Sequence, residues 1–227
     1  MPDFTFELIT PAQAMAFGGS DTLTFTSQFA SFSNISVVQN GANLTFGFLG
    51  REVTVGAGFT SQVRQVPIFN GATFVTGTAA DETFNGAATR VEAFYAGAGN
   101  DTLIAGAGDR LAGGPGVDMF VVPHGVAGVA IVDLQPGERI AVAGTAPTLL
   151  DYIEETLFDM TTATNLATGR ITSGAANFVV VRVSADVIAV FIDSLNENKI
   201  GTRFTIENAS LGDIDHLTFV EIGRAHV

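Results

Sequence analysis

The alternation of hydrophobic and polar residues predicts that much of this chain folds as short β-strands. Between residues 22 and 56, apolar and polar positions alternate as they do in half-buried antiparallel strands. The turn formers Asn40, Gly41 and Gly50 separate these segments in the manner of hairpin turns. An antiparallel meander is therefore predicted here, with strands at Thr22–Thr26, Ile35–Val38, Leu44–Phe48 and Glu52–Val55.

The last third of the chain contains one helical pattern followed by further strands. Thr148 is predicted to cap a short helix with Asp151 at its third position, and the adjacent Glu154 and Glu155 are expected on its solvated surface. The apolar stripe of this helix is Leu149, Ile153, Leu157 and Met160. Strands are then predicted at Phe178–Val183, Val187–Ile192 and Thr202–Ile206.

Between these regions lies a glycine-rich repeat. Residues 96–104 (AGAGNDTLI) and 113–121 (GGPGVDMFV) each contain a glycine-rich turn, an aspartate and a short strand with one large apolar residue. Residues 77–85 (GTAADETFN) are a degenerate third copy. Glycines permit a tight reversal that exposes backbone carbonyls. The aspartates, Asp101 and Asp118, supply hard anionic oxygens of the kind that calcium prefers.

This pattern resembles the G-G-x-G-x-D-x-U-x repeat of the RTX family, in particular its short alphaproteobacterial members. The resemblance covers residues 71–144 and implies an all-β fold: a short right-handed parallel β-roll with antiparallel flanks. The flanks are residues 1–70 and residues 145–220, the latter with the helix. Residues 129–140 resemble the strand that closes RTX rolls, where Asp133 either contacts a last calcium ion or caps the turn before Pro136.

In such a roll, two repeats make one coil, so turns about eighteen residues apart stack on one edge. Asp101 and Asp118 are 17 residues apart, which places them together with Glu82 on one edge. Glu92 and Asp109 then lie on the other edge. Leu103 and Phe120 point into the roll. Stacked carboxylates repel one another unless a cation lies between them, so the metal is expected to be part of the fold.

The resemblance implies that calcium is held by aspartates and by the carbonyls of the turns. A site between Asp101 and Asp118 is the strongest expectation, a site that joins Asp81 or Glu82 to Asp101 is the next, and one between Glu92 and Asp109 is the weakest. The candidate metal ligands are Asp81, Glu82, Gly97, Gly99, Asn100, Asp101, Asp109, Gly114, Gly116, Val117 and Asp118.

Composition narrows the function further. The chain of 227 residues has 26 glycines, no cysteine and a formal charge of −13. Without disulfides, stability depends on the core and on metal. The acidity argues against partners such as nucleic acid or an anionic membrane surface. No run is long enough for a membrane span. The loop that starts at Asp193 only faintly resembles a calcium loop, and a polar hairpin turn is favoured there.

The resemblance implies an extracellular or cell-surface protein exported by type I secretion, since no cleavable signal opens the chain. Residues 221–227 match the translation of a common sequencing adapter and are set aside. A non-enzymatic calcium-binding protein with a surface-layer, matrix or adhesion role is expected, and it associates either with itself or with a cell-surface polymer. The alternative is an accessory part of a longer secreted hydrolase. Roll ends offer strand edges for stacking, although monomers capped by the flanks fit equally well.

Overall fold

The computed structural model describes residues 3–143, 152–193, 195, 197–215 and 218–222. Strands dominate this part of the chain, and α3 (Met160–Thr172) is a helix of 13 residues. The predicted all-β class is confirmed. The N-terminal elements are β1 (Asp3–Thr5), α1 (Pro11–Met15), β2 (Thr22–Thr24), β3 (Ser36–Asn40), β4 (Asn43–Phe48), β5 (Arg51–Val55), α2 (Ala57–Thr60) and β6 (Arg64–Pro67).

The predicted N-terminal meander is confirmed for three strands and wrong for the first. Strands β3, β4 and β5 pair antiparallel in sequence order. Their turns contain Gly41 and Gly50, with φ of 59° and 77°. Strand β2 instead pairs parallel with β1. The connection through α1 crosses over, so β2 runs in the same direction as β1. Leu23 and Phe25 are buried with Phe6 in a phenylalanine-rich core.

The middle of the chain forms the predicted parallel roll. Its strands are β7 (Thr73–Thr76), β8 (Thr83–Asn85), β9 (Glu92–Tyr95), β10 (Thr102–Ile104), β11 (Arg110–Ala112), β12 (Met119–Val122), β13 (Ala127–Ile131) and β14 (Arg139–Ala143). Successive strands alternate between two sheets, and within each sheet all of these roll strands are parallel. Leu103 and Phe120 are fully buried between the sheets, as expected. The right-handed sense of the coil stays a prediction.

C-terminal strands continue both sheets of the roll. Strand β18 pairs parallel with β13, and β19 pairs parallel with β14, while β16, β17 and β18 form the predicted antiparallel set. Each sheet of the roll therefore contains strands from both sides of residue 144. In the same way, the β6–β7 hairpin joins strands on either side of residue 70. The strands of this region are β15 (Tyr152–Thr156), β16 (Phe178–Arg182), β17 (Val187–Ile192), β18 (Thr202–Glu207) and β19 (Phe219–Ile222).

A helix follows the roll, but its predicted position is wrong. Thr148, Leu149 and Asp151 lie outside the described residues, and the segment that contains Ile153, Glu154 and Glu155 is strand β15. Strand pairing with β16 determines the conformation there. Helix α3 begins at Met160, where Asp159 caps it by accepting a hydrogen bond from the N–H of Thr162. Its buried face is Ala163, Ala167 and Ile171.

Candidate metal centre

The strand register places four carboxylates in one column along one edge of the roll. Thr83, Thr102, Met119 and Arg139 are paired neighbours in successive strands. The residue before each of them is an acid. This confirms that Glu82, Asp101 and Asp118 share an edge, and it adds a fourth member that the sequence did not indicate. The column is Glu82, Asp101, Asp118 and Glu138.

Glu92 and Asp109 lie on the opposite edge. They precede Ala93 and Arg110, which are paired neighbours in β9 and β11. The backbone N–H of Glu92 donates a hydrogen bond of 2.8 Å to Oδ1 of Asp109. The expected division of the carboxylates between two edges is thus what the strand pairing shows.

The glycine turns of the column stack at very short range. A Cβ on Gly114 would lie 2.0 Å from the carbonyl oxygen of Gly97, and one on Gly116 would lie 1.7 Å from that of Gly99. Three of these four glycines have positive φ, but Gly116 does not. Close approach of two backbones, and not the left-handed conformation, is what requires a glycine at Gly116.

Side chains in the turns add a second set of contacts between coils. The side-chain oxygen of Asn100 accepts a hydrogen bond of 2.9 Å from the N–H of Val117. One coil earlier, Oδ1 of Asp81 accepts from the N–H of Asn100 at 2.7 Å. The predicted ligands Asp81, Asn100 and Val117 therefore lie in register, and they fix the spacing between neighbouring turns.

Each central aspartate binds the backbone of the preceding coil through one oxygen. Oδ1 of Asp101 accepts from the N–H of Glu82, and Oδ1 of Asp118 accepts from the N–H of Asp101, both at 2.7 Å. The second oxygens differ. Among the described residues, Oδ2 of Asp101, Oδ2 of Asp118 and Oε1 of Glu138 are buried without a hydrogen-bond partner. Asp101 is only 1% exposed, and Asp118 and Glu138 are each 2% exposed.

Burial without a counter-charge disfavours ionisation of these acids. Loss of hydration raises the pKa of Asp101 to about 7 and that of Glu138 to about 8. The pKa of Asp118 is also raised, again chiefly by burial. A buried carboxylate oxygen that lacks a partner is costly for the fold. A cation in the column would supply that partner.

Other carboxylates of the roll are already satisfied by the protein. Glu82 accepts hydrogen bonds from the N–H and the hydroxyl of Thr78, each at 2.8 Å. On the opposite edge, Asp109 accepts from the N–H of Gly106 at 2.7 Å as well as from Glu92. Glu92 forms an ion pair with Arg90, with 2.7 Å between Nη2 and Oε1. Among the described residues of the roll, buried carboxylate oxygens without a hydrogen-bond partner therefore lie on one edge only, at Asp101, Asp118 and Glu138.

Asp133 caps a turn, but not the turn before Pro136. Its two oxygens accept hydrogen bonds of 3.0 and 2.9 Å from the N–H groups of Gly113 and Gly114, one coil earlier. Glu138 instead caps the Pro136 turn, since its Oε2 accepts from the N–H of Gln135 at 2.7 Å. Sequence reasoning missed Glu138 because it lies beyond the nine-residue repeat. Its signal was an acid immediately before a strand, as at Asp101 and Asp118.

In the described part of the loop that follows β17, the carboxylate of Asp193 is already satisfied by the backbone. Asp193 accepts hydrogen bonds from the N–H groups of Glu197 and Asn198 at 2.9 and 2.7 Å, one on each carboxylate oxygen. This loop joins the antiparallel strands β17 and β18. The predicted hairpin turn is confirmed there.

Side chains alone do not build a complete metal shell in the described part of the chain, where no group of three or more His, Cys, Asp or Glu residues could hold a metal ion. A cation in the column must take further ligands from backbone carbonyls, which calcium accepts readily. The buried partnerless oxygens and the packed turn carbonyls fit such a hard cation. Within the same residues, no helix has both the length and the apolar character to cross a membrane.

Comparisons with known proteins give little further information. The chain matches no protein-family model and no curated protein sequence. Among solved structures it is similar to the extracellular lipase LipA from Serratia marcescens, with a TM-score of 0.30 and 13% sequence identity. The match covers 88% of this chain and 32% of the lipase chain, so this chain spans about a third of that enzyme. A likeness this weak carries no argument about function.

Proposed function

We propose that this protein binds calcium in the stacked turns of its roll, as a member of the RTX family. The observation that carries the proposal is the pair of buried carboxylate oxygens, Oδ2 of Asp101 and Oδ2 of Asp118, which have no hydrogen-bond partner. They belong to stacked turns in which the glycines of the later turn, Gly114 and Gly116, pack directly against carbonyls of the earlier one. Carbonyls from residues 97–100 and 114–117 would complete the coordination shell.

Calcium fits these residues better than other common metals do. The column offers oxygen atoms only, and the chain contains no cysteine. Calcium accepts six to eight oxygen ligands in flexible geometry, whereas magnesium requires a smaller octahedral shell. Zinc and copper prefer nitrogen or sulfur ligands. This donor set therefore supports calcium as the proposed ion.

Calcium binding is coupled to folding in this proposal. Metal-free folding must bury Asp101 and Asp118 with one oxygen each unpaired, which opposes formation of the coils. A bound cation removes that cost, and its binding free energy adds to the stability of the folded state. The roll is therefore expected to be mobile in chelator and ordered in millimolar calcium.

A non-enzymatic role outside the cell is the function that we favour. The resemblance to RTX proteins supports type I secretion, and the charge of −13 suits a calcium-rich exterior. A surface-layer, matrix or adhesion component would use the calcium-stiffened roll as a scaffold, with itself or a cell-surface polymer as partner. The second candidate is an accessory part of a longer secreted hydrolase. Reading the uninterrupted gene separates the two, since catalytic motifs beyond residue 220 would favour the hydrolase.

Circular dichroism and thermal unfolding test the calcium proposal. Metal-depleted protein is compared with protein in millimolar calcium and in millimolar magnesium. We expect calcium to increase the β signal and the Tm, and magnesium to do so weakly. Identical spectra and unfolding midpoints in chelator and in calcium would refute the proposal.

A further inference from the structure

We propose that the cleft between the N-terminal meander and the roll binds a neutral saccharide unit. This meander–roll cleft has a volume of about 300 Å³, which is at the lower end of the range for small-ligand pockets. It lies between residues 32–37 and the outer face of the sheet that contains β7, β9 and β11. The inference goes beyond calcium binding, and it gives the proposed polymer partner a chemical class, polysaccharide.

Small side chains form the floor of the cleft, and aromatic rings form part of its walls. Ala93 in β9 and Ala112 in β11 are buried, and their short side chains leave depth above the sheet. Phe32 and Tyr95 are half-buried and line the cleft. The ring of Phe32 packs edge-on against that of Phe74, with 5.0 Å between the centroids, which fixes its position. The electron-rich faces of aromatic rings attract C–H groups, and a sugar ring presents such groups.

Polar groups lie where β13 and β18 end, since these parallel neighbours are followed by Asp133 and Asn208. Each oxygen of Asp133 accepts one backbone N–H, from Gly113 or Gly114, and a carboxylate oxygen can accept a second hydrogen bond. Nδ2 of Asn208 donates 3.0 Å to the carbonyl of Val132, which anchors the amide beside the cleft. Sugar hydroxyls can donate to such acceptors.

The charges that line the cleft favour a neutral ligand. Arg110 lines it, but two of its nitrogens donate to the two carboxylate oxygens of Glu207, at 3.0 and 2.6 Å. This cation is therefore already neutralised. An anionic ligand would meet the carboxylate of Asp133 in a chain with a formal charge of −13. A cationic ligand would meet the same carboxylate with both oxygens already bound to backbone N–H groups.

Unmet hydrogen-bonding capacity surrounds Tyr95. The backbone N–H of Gln39 donates to the Tyr95 hydroxyl, and burial raises the pKa of Tyr95, so this hydroxyl is a neutral donor. Among the described residues, Oε1 of Gln39 and Oγ1 of Thr76 are buried without a hydrogen-bond partner. Thr76 is only 1% exposed and is paired with Tyr95 across β7 and β9. Buried polar atoms are costly to leave unpaired. The surroundings of Tyr95 therefore favour a ligand that carries hydroxyl groups over a purely apolar one.

Tyrosine fluorescence tests the cleft, because the chain contains two tyrosines and no tryptophan. Tyr152→Phe, in β15, leaves Tyr95 as the reporter. The full chain in this form is titrated with glucose, galactose, mannose and N-acetylglucosamine, with the corresponding uronic acids, and with dodecanoate as an apolar probe. We expect at least one neutral sugar to change the Tyr95 emission saturably. Its uronic acid should bind at least tenfold more weakly.

Two variants in the same background locate the binding. Ala112→Leu fills the floor of the cleft and should weaken the sugar at least tenfold. Asn208→Gly removes the amide and keeps the backbone conformation, whose φ is 59°, and should weaken it about threefold or more. The matched control is Ala175→Leu, at an exposed position after α3, which should stay within about twofold of the parent. Sugar binding that Ala112→Leu leaves unchanged would place the sugar elsewhere and overturn the proposal.

The remaining outcomes separate this inference from the calcium proposal. If the neutral sugars leave the emission unchanged while calcium binds, the cleft proposal is wrong and the calcium proposal stands. Sugar binding without calcium binding gives the reverse result. Binding of dodecanoate or of a uronic acid in preference to the neutral sugars would also overturn the cleft proposal. If Ala112→Leu does not fold, amide NMR of the wild type decides. The sugar should shift the amide signals of Ala112 and Asn208, and shifts that leave both unmoved would overturn the site.

Discussion

The backbone N–H of Asp101 donates a hydrogen bond of 2.7 Å to Oδ1 of Asp118, its equivalent one coil later. Through this contact, one oxygen of the Asp118 carboxylate links two neighbouring coils. Its second oxygen, Oδ2, is buried with no hydrogen-bond partner. The spacing of the repeat therefore builds a roll in which the same carboxylates link neighbouring coils through one oxygen and lack a partner at the other.

Neutralising both aspartates should weaken calcium binding strongly. The double variant Asp101→Asn with Asp118→Asn keeps the side-chain shapes and removes two anionic ligands. Affinity should fall by at least tenfold, about 1.4 kcal/mol, and the calcium-induced increase in Tm should shrink with it. Calorimetric titration and thermal unfolding measure the two effects.

The control for this double variant removes the same charge elsewhere. Glu52→Gln with Asp186→Asn changes two exposed acids outside the column. Glu154 and Glu155 would be a poorer control, since Glu154 accepts a hydrogen bond of 2.8 Å from the Tyr152 hydroxyl. Calcium affinity should stay within about twofold of wild type. Equal impairment of the two double variants would mean diffuse charge attraction in place of a specific site.

The stability of the metal-free protein should fall as the pH rises. In the folded state burial raises the pKa of Asp101 to about 7, that of Asp133 to about 6 and that of Glu138 to about 8, above the ordinary values of 3.8 and 4.5. The folded protein therefore holds protons that the unfolded chain releases. Stability from these groups is present below about pH 4 and is lost progressively up to about pH 8.

Calcium should reverse this trend, because the ion binds the deprotonated carboxylates. The difference in Tm between calcium-loaded and metal-depleted protein should therefore grow from about pH 5 to pH 8. Thermal unfolding across that range measures both curves. A Tm of the metal-depleted protein that rises steadily over this interval would contradict the assignment of buried, protonated acids in the column.

Asp109 should behave as a structural residue and not as a calcium ligand. Both of its oxygens accept backbone N–H groups, from Glu92 and Gly106. Asp109→Asn turns one acceptor into a donor that faces an N–H, which should cost about 1–3 kcal/mol of unfolding free energy. Denaturant unfolding measures this loss, and calorimetry should find calcium affinity unchanged within about twofold. An affinity as low as that of the double variant Asp101→Asn with Asp118→Asn would instead place a cation on this edge.

Local spacing made the roll predictable from sequence. The 17-residue separation of Asp101 and Asp118 sets their register directly, and the strand pairing of Thr102 with Met119 follows from it. Turn glycines and inward residues such as Leu103 repeat with the same phase. These features depend on neighbours within one coil, which a periodic pattern encodes.

Features that the repeat pattern does not encode were not predictable in this way. Which carboxylates keep an open oxygen depends on nearby donors at Thr78, Gly106 and Arg90. Their contacts with Glu82, Asp109 and Glu92 are not specified by the repeat. Glu138 joins the column after a loop of non-repeat length. The helix was misplaced because pairing with β16 overrides the helical spacing of Ile153 and Leu157.

The distance between stacked turns should make Gly116 intolerant of any side chain. A Cβ there would lie 1.7 Å from the carbonyl oxygen of Gly99, even though Gly116 is exposed and does not have positive φ. Gly116→Ala must push two turns apart, at a cost of about 1–3 kcal/mol typical of overpacking. The same displacement would separate the carbonyls proposed to bind calcium, so calcium affinity should fall as well.

Gly169→Ala is the matched control, since a Cβ there meets no atom within 4 Å and Gly169 lies in α3. That variant should be neutral or more stable by up to about 1 kcal/mol. Denaturant unfolding and calorimetry on both variants measure the effects, and a Gly116→Ala protein with wild-type stability and affinity would show that the turns are not packed as described.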